Sequence, residues 1–356
     1  MPSNPGSKPV IALAMGDPAG ISPELTAALL VDPAVREACD LIVIGDLRLL
    51  QAGAKVAKVE PVLNRIGATD PIPEDLSTPV FVDLAHCDPA SIEIGRVSEA
   101  GGRCAAENYR HALALALAGR ADAVCFTPFN KAAMRMHVPG YDDEIVFTAN
   151  FIDFHGPARE FNVLAGLWNA RVTSHVPLSG VAALITGAAI LDNLRLTDAA
   201  LRASGIAKPR IAVAGLNPHA GDGGNFGREE IDTIGPAVIE ARQQGISCDG
   251  PFPADTVFVR AKRGDFDAVL TMYHDQGQIA MKLIGFDQGV TLLGGFPFPI
   301  CTPAHGTAYD IAGRGIAGTG AARNALLLAA RMSADMRRTR PAAAQSAKAF
   351  RAAVAA

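Results

Sequence analysis

The sequence predicts an α/β protein built on mainly parallel sheets. Short β-branched or apolar runs alternate with longer Ala/Leu-rich stretches along its 356 residues. Several of the short runs are apolar throughout, as strands become when both faces of a sheet are covered. They end in turns rich in Gly, Pro and Asp. That alternation is the pattern of βα units.

In chain order, strands are expected at Val10–Met15, Leu41–Ile44, Val80–Val82, Ala123–Phe126, Phe161–Leu164, Ile211–Ala214 and Ala268–Met272. Helical patterns lie between them, among them Cys104–Ala118 and Glu229–Gln243. The punctuating turns are Gly16-Asp17-Pro18, Thr127-Pro128, Leu216-Asn217-Pro218 and Tyr273-His274-Asp275. Ligands of open α/β sheets gather at the carboxyl ends of strands, so the polar residues of these turns are where chemistry is sought first. The length suits two ordinary domains or one large one. No internal repeat is evident. The Ala/Arg-rich tail from Ala334 is expected to be helical and carries no chemical signal.

Composition excludes several classes. With 49% hydrophobic and 19% charged residues, the chain is neither disordered nor short of core. A net charge of -4 leaves no basic excess for a nucleic-acid backbone. The polar Met1–Lys8 segment lacks a signal-peptide core, and no apolar run reaches the roughly 18 residues of a membrane span. Cys39, Cys87, Cys104, Cys125, Cys248 and Cys301 are scattered without a C-x-x-C pair, so neither a zinc knuckle nor a disulfide framework is indicated. A reducing cytoplasm is the expected compartment.

Three of the eight histidines share a setting at or just past a predicted strand end: His175 in T-S-H-V-P-L, His219 in G-L-N-P-H-A-G and His274 in Y-H-D-Q-G. Neutral imidazole is a common ligand of divalent transition metals. Three such ligands leave coordination positions open for substrate, as a catalytic ion requires. By spacing alone, ordinary hydrogen-bonded loop histidines remain the simpler reading. His111 falls on a helical pattern, and His86, His137 and His155 read as surface or packing residues.

No G-x-G-x-x-G follows the first strand, so the usual dinucleotide fingerprint is missing. The first turn reads G-D-P-A-G-I-S-P-E, where Gly20 permits a tight turn and Pro23-Glu24 suits a helix start. Near the C-terminus, His305–Gly315 combines small residues with a Thr/Asp pair and could wrap a nucleotide without that fingerprint, or simply be an irregular connection. Five glycines around His219 point to close backbone approach to a ligand, or to a lid.

Together, G-D-P-A-G-I-x-P-E, P-x-N-K, T-S-H-x-P-L, G-L-N-P-H-A-G-x-G-G, P-x-P-A-D-T, Y-H-D-Q-G and H-G-T-A-x-D-I-A-G run in order from about Gly16 to Gly313. That ordered set resembles the 4-hydroxythreonine-4-phosphate dehydrogenases. The resemblance implies two α/β/α domains of isopropylmalate-dehydrogenase type with the active site in their cleft. The first domain would comprise residues 1–127 with 292–356, and the second residues 128–291. It implies a homodimer with the active site shared across the interface. One divalent ion (Zn, Mg, Mn, Co or Ni) falls to His175, His219 and His274, with ligands drawn from both subunits. NAD or NADP is the implied cofactor, held by His305, Gly306, Thr307, Ala308, Asp310 and Gly313. The implied reaction oxidises a secondary alcohol of a hydroxy acid and releases its carboxylate as CO2. Lys131 and Asp255 are the candidates for acid/base or orienting work, and Lys282 matches a substrate-binding lysine.

The chain also departs from the family pattern. In place of G-H-T-E stands Gly140-Tyr141-Asp142-Asp143-Glu144, Thr291 replaces an asparagine, and Ile300 replaces a substrate-binding arginine. Acids at Asp142 and Asp143 would repel a phosphate ester, and losing an arginine forfeits bidentate recognition. These substitutions point to another hydroxy acid: an unphosphorylated dihydrodiol carboxylate of terephthalate type, or a four-carbon sugar-acid phosphate. The alternatives are the 4-phosphohydroxythreonine dehydrogenase of pyridoxal phosphate biosynthesis and, from another class, a phosphotransacetylase-like acyltransferase.

Overall fold

A computed structural model of the chain describes residues 8–339. It divides into two compact units, one built from the residues up to Gly156 together with those from Phe296 onward, the other from Pro157–Gly295. The crossings fall at 156/157 and 295/296, later than the 127/128 and 291/292 expected. Residues 128–156 pack in the first unit because the helix Lys131–His137 lies flush on the helix Glu99–Leu117. Gly102 there is so close to Ala133 that a Cβ would strike its carbonyl oxygen.

The strands, in chain order, are β1 (Val10–Ala14), β2 (Asp40–Gly45), β3 (Asn64–Gly67), β4 (Val80–Asp83), β5 (Ala123–Phe126), β6 (Arg159–Leu164), β7 (Leu167–Arg171), β8 (Ile211–Ala214), β9 (Cys248–Phe252), β10 (Ala268–Thr271), β11 (Val290–Gly294) and β12 (Ile300–Pro303). In the first unit the order is β3-β4-β2-β1-β5-β12, parallel throughout. β1 sits centrally, with Ala12 opposite both Ile42 and Val124. In the second unit the order is β11-β6-β7-β10-β8-β9. There β7, β10, β8 and β9 run parallel, and the β6 pairings are antiparallel. All seven expected strands are present. β1, β2, β4 and β5 are buried almost end to end, and each enclosed Val, Leu or Ile contributes roughly 1.5–3 kcal/mol of hydrophobic stabilisation.

The helical pattern Glu229–Gln243 is interrupted. A π-helical turn, Glu230–Ile234, precedes the α-helix Gly235–Gln243. Pro236 has no N–H to donate back into a regular turn, which accounts for the change of helix type at this point. The tail is helical as far as Thr339; the remainder of that expectation lies outside the described residues. Cys87, just past β4, and Cys104, on the helix Glu99–Leu117, stand side by side with Cα atoms 6.0 Å apart. Among the described residues, no single helix is long and apolar enough to cross a membrane.

His111 is buried on the helix Glu99–Leu117. Burial, then the neighbouring His86, pushes its imidazole down to about 4. Its proton is therefore taken up by the unfolded chain first. The associated stability is complete above the unfolded pKa of 6.5 and is lost as pH falls from there to about 4. The gap corresponds to about 3 kcal/mol. Urea titrations across this window are expected to show that loss in the wild type, and a shallower one in His111→Gln.

Candidate active site

The second unit gathers the three histidines of interest at the carboxyl ends of adjacent strands. β10 lies between β7 and β8 and is parallel to both. His175 follows β7, His274 follows β10 and His219 follows β8. The β7 and β10 ends are laced together past the sheet. Val172 and Thr173 donate their N–H groups to Thr271 and Met272, and the Thr173 hydroxyl donates to the Met272 carbonyl at 2.8 Å. The His175 and His274 rings stand with centroids 5.7 Å apart.

The last four residues of Y-H-D-Q-G each have a physical task. His274 opens the helix His274–Gly285, and its Nδ1 lies 2.7 Å from Asp275 Oδ1. A carboxylate on Nδ1 fixes the tautomer and turns the Nε2 lone pair outward, the usual second partner of a metal-binding imidazole. The Gln276 side chain accepts from Met272 N at 2.7 Å and donates to the Gly215 carbonyl at 2.8 Å, clamping the β10 end to the β8 end. Gly277 is required because a Cβ there would run into the Asn169 side chain.

His219 lies in a differently built segment. From His219 through Gly223 every φ is positive, between 44° and 81°. His219, Ala220 and Asp222 are not glycine, and each such residue costs on the order of 1 kcal/mol or more. The His219 ring neighbours Phe226 at 6.1 Å between centroids. In kind, the donor set suits a divalent ion: three imidazoles at strand ends, one of them oriented by a carboxylate. Among the described residues, however, no group of three or more His, Cys, Asp or Glu side chains converges closely enough to hold one.

In the first unit, the loop His305–Gly315 is fastened to the turn after β1. Ile21 donates to the Thr307 carbonyl at 3.0 Å, and the Tyr309 hydroxyl to Asp17 Oδ2 at 2.6 Å. Gly313 N donates to Glu24 Oε2 at 3.1 Å. Gly20 is obligatory, since a Cβ would meet the Thr307 carbonyl. Asp17 and Glu24 are both buried, and burial raises both carboxyls, partly offset by these hydrogen bonds. Thr307 is buried, Ala308 adopts φ 45°, and Gly306, Asp310 and Gly313 are exposed. His305 is half-buried, with Nδ1 3.1 Å from the Gly306 carbonyl and Nε2 enclosed without a partner. The loop thus presents small residues and backbone on a rigid base.

Lys131 is exposed at the start of the helix Lys131–His137, its Nζ 3.8 Å from Glu144 Oε2. Glu144 Oε1 in turn accepts from the buried Tyr141 hydroxyl at 2.8 Å. Asp142 is exposed. Asp143 is the N-cap of the helix Glu144–Phe151 and accepts from Val146 N at 2.9 Å. One oxygen of its carboxylate thus caps that helix end. Ile300, expected at a substrate position, is fully buried, opposite Val124 in the parallel ladder. It belongs to the core, because both faces of β12 are covered. In the second unit, Thr291 is half-buried opposite Asn162. Asp255 is exposed in the first turn of the helix Ala254–Lys262. Lys282 is exposed with its ammonium 5.8 Å from the Phe286 ring centre.

Sequence reasoning missed the residues that hold these parts in place: Asp275, Gln276, Asp17, Glu24 and Tyr309. Asp275 and Gln276 adjoin His274 and were legible. The pairings of Asp17 with Tyr309 and of Glu24 with Gly313 span almost the whole chain and left no local signal.

A parallel unit with a clasped glycine loop, and a second unit with histidines at adjacent strand ends, make up an α/β fold shared with dehydrogenases. Residues 37–329 match the family described as pyridoxal phosphate biosynthetic protein PdxA. A Rhizobium meliloti protein provisionally named 4-hydroxythreonine-4-phosphate dehydrogenase 2 is 61% identical, over 93% of this chain and 95% of its own length. A Symbiobacterium thermophilum protein provisionally named D-threonate 4-phosphate dehydrogenase is 37% identical, over 94% and 99%. Among solved structures, a 4-hydroxythreonine-4-phosphate dehydrogenase from Burkholderia phymatum superposes with a TM-score of 0.76 at 33% identity, covering 92% of this chain and 99% of that one. A terephthalate 1,2-cis-dihydrodiol dehydrogenase from Burkholderia xenovorans is more distant, with a TM-score of 0.62 at 28% identity over 90% and 97%. The chain belongs to the PdxA family of dehydrogenases.

Proposed function

We propose that this chain is an NAD(P)-linked, divalent-metal-dependent dehydrogenase. Its substrate is a phosphorylated four-carbon hydroxy acid of the hydroxythreonine or threonate phosphate type. The alcohol β to the carboxylate is oxidised, and the carboxylate leaves as CO2. The observation that carries the reading is the placement of His175, His274 and His219 at the carboxyl ends of three adjacent parallel strands, in a chain of this family. The preference for a phosphorylated substrate is supported by the similarity to relatives named for hydroxythreonine phosphate and threonate phosphate. Asp143 is a helix cap and Ile300 is core, so neither argues that a phosphate pocket has been lost. The family also sets aside the acyltransferase alternative.

In this reading the alcohol carbon gives its hydride to the nicotinamide, and the hydroxyl proton passes to a base. The β-keto acid then breaks its C–C bond, leaving the electron pair on the α-carbon, which takes up a proton. A divalent ion at the histidines supplies Lewis acidity to both halves. Asp275 holds His274 in one tautomer, and Gln276 keeps the neighbouring strand ends in register. Lys131, aligned by Glu144, and Asp255 serve as proton donor and acceptor, Lys282 meets the substrate's anionic end, and the His305–Gly313 loop holds NAD or NADP. The test is whether reduced nicotinamide and CO2 form in equal amounts, and only after metal is restored to chelator-treated protein. Reduction without CO2, or full activity after chelation, would refute it.

Exposed apolar side chains in the second unit support a homodimer in this reading. Ile279 and Leu283, one turn apart on the helix His274–Gly285, are 61% and 83% exposed, Phe286 just past its end is 46% exposed, and Leu178 beyond His175 is 70% exposed. Apolar groups so placed suit a second copy that completes the ligand set. Leu283→Glu is expected to weaken self-association at least about 100-fold, or about 2.7 kcal/mol, and to lower activity in parallel. Sedimentation at graded concentrations checks the first effect, and a dimer unaffected by the charge would contradict it.

A further inference from the structure

We propose that Glu230 is a positioning residue that sets the course of the loop carrying His219. The inference rests on His219 being a metal ligand. Glu230 is 4% exposed. Its Oε1 accepts from the backbone N–H groups of Leu216 and Asn217, both at 2.7 Å. Its Oε2 accepts from Asn217 Nδ2 at 3.0 Å, and the same amide group reaches Glu229 Oε2 at 2.6 Å. The loop closes over the carboxylate at two glycines. A Cβ on Gly215 would stand 3.0 Å from Oε1, and one on Gly221 2.7 Å from Oε2. The carboxylate therefore occupies the interior of the loop, gripping its start and filling the space beneath its fold-back.

Between those two places runs the left-handed stretch His219–Gly223. L-residues do not choose that course locally, so it persists only where surrounding groups dictate it. Glu230 is the buried charge on which the stretch closes. It opens the π-helical turn Glu230–Ile234, and single π turns often re-aim a side chain at a functional position. Glu230 acts on His219 through the backbone. It determines where the imidazole is offered and supplies no ligand atom itself.

The test compares wild type, Glu230→Gln and His219→Ala as full-length proteins stripped of metal. Amide hydrogen exchange reads the loop, and calorimetric titration with zinc chloride reads the site. Glutamine keeps the volume but turns an NH2 toward donors, so exchange over residues 216–227 is expected to quicken at least about tenfold, with β7 and β10 unchanged. Zinc affinity is expected to fall on the order of 10–100-fold, while His219→Ala loses affinity with its strands equally protected. Should Glu230→Gln fail to fold, Asn217→Ala removes only the side-chain bridge and is expected to move both readouts in the same direction. Exchange over 216–227 unchanged from wild type, or faster exchange with zinc affinity within twofold of wild type, would overturn the proposal. Wild-type protein that takes up no zinc would remove the ligand reading instead, and the exchange comparison would still decide whether Glu230 holds the loop.

Discussion

His274→Ala is expected to lower kcat/KM by on the order of a thousandfold. Lewis-acid stabilisation of developing charge is worth several kcal/mol, and each 1.36 kcal/mol is a factor of ten, so removing one ligand of the ion removes about three such factors. His175→Ala should cost about the same, because the two rings stand together at laced strand ends. The double variant should be little worse than either, since ligands of one ion act as a unit. Asp275→Asn keeps the ring but loses the charge that orients it, and should weaken metal affinity roughly 10–100-fold. Metal content by elemental analysis should fall with activity, while thermal unfolding moves little because the ring lies outside the core. Full metal content with activity within tenfold of wild type would remove His274 from the site.

Ile300→Arg is expected to unfold the first unit. The substitution installs the family's arginine, and if Ile300 lined a substrate pocket it would improve phosphate recognition. Ile300 is instead fully buried on β12. A guanidinium there has no partner and no water, and an unpaired buried charge costs several kcal/mol, a large share of the roughly 5–15 kcal/mol that holds a domain together. Loss of soluble protein, or a strongly lowered thermal midpoint by circular dichroism, is the expected result. A folded variant with a lower KM for a phosphorylated substrate would restore Ile300 to the pocket.

These two outcomes bear on what could be read beforehand. The seven anticipated strands were apolar runs, and those are legible because both faces of a parallel sheet are covered. β7 escaped notice although it is fully buried, because it carries Asn169 and Arg171. Their donors find partners inside: Asn169 donates to the Ala170 and Val269 carbonyls, and Arg171 donates to Asn162 Oδ1 and pairs with Glu160 at 2.8 Å. β9 escaped because Gly250-Pro251 interrupts it, and β3 because its side chains are mostly exposed. His219 and His274 follow strands that the pattern anticipates, whereas His175 follows the unanticipated β7, and the adjacency of all three depends on the strand order β7-β10-β8, which no local pattern encodes. Asp143 also carried a local structural signal. An Asp directly before an acidic first turn is an N-cap signal, and that local reading outranks a pocket charge inferred by alignment.

The proposed oxidation of a phosphorylated four-carbon hydroxy acid at a metal site on three strand-end histidines is decided by substrate choice. The measurement compares kcat/KM for nicotinamide reduction, with added divalent metal, on D-threonate 4-phosphate, 4-phosphohydroxythreonine and a terephthalate-type cis-dihydrodiol. Turnover of at least one phosphorylated acid is expected to be at least about a hundredfold above the dihydrodiol, a difference of about 2.7 kcal/mol. Turnover of the dihydrodiol alone would contradict it and return Asp142 and Asp143 to the substrate pocket.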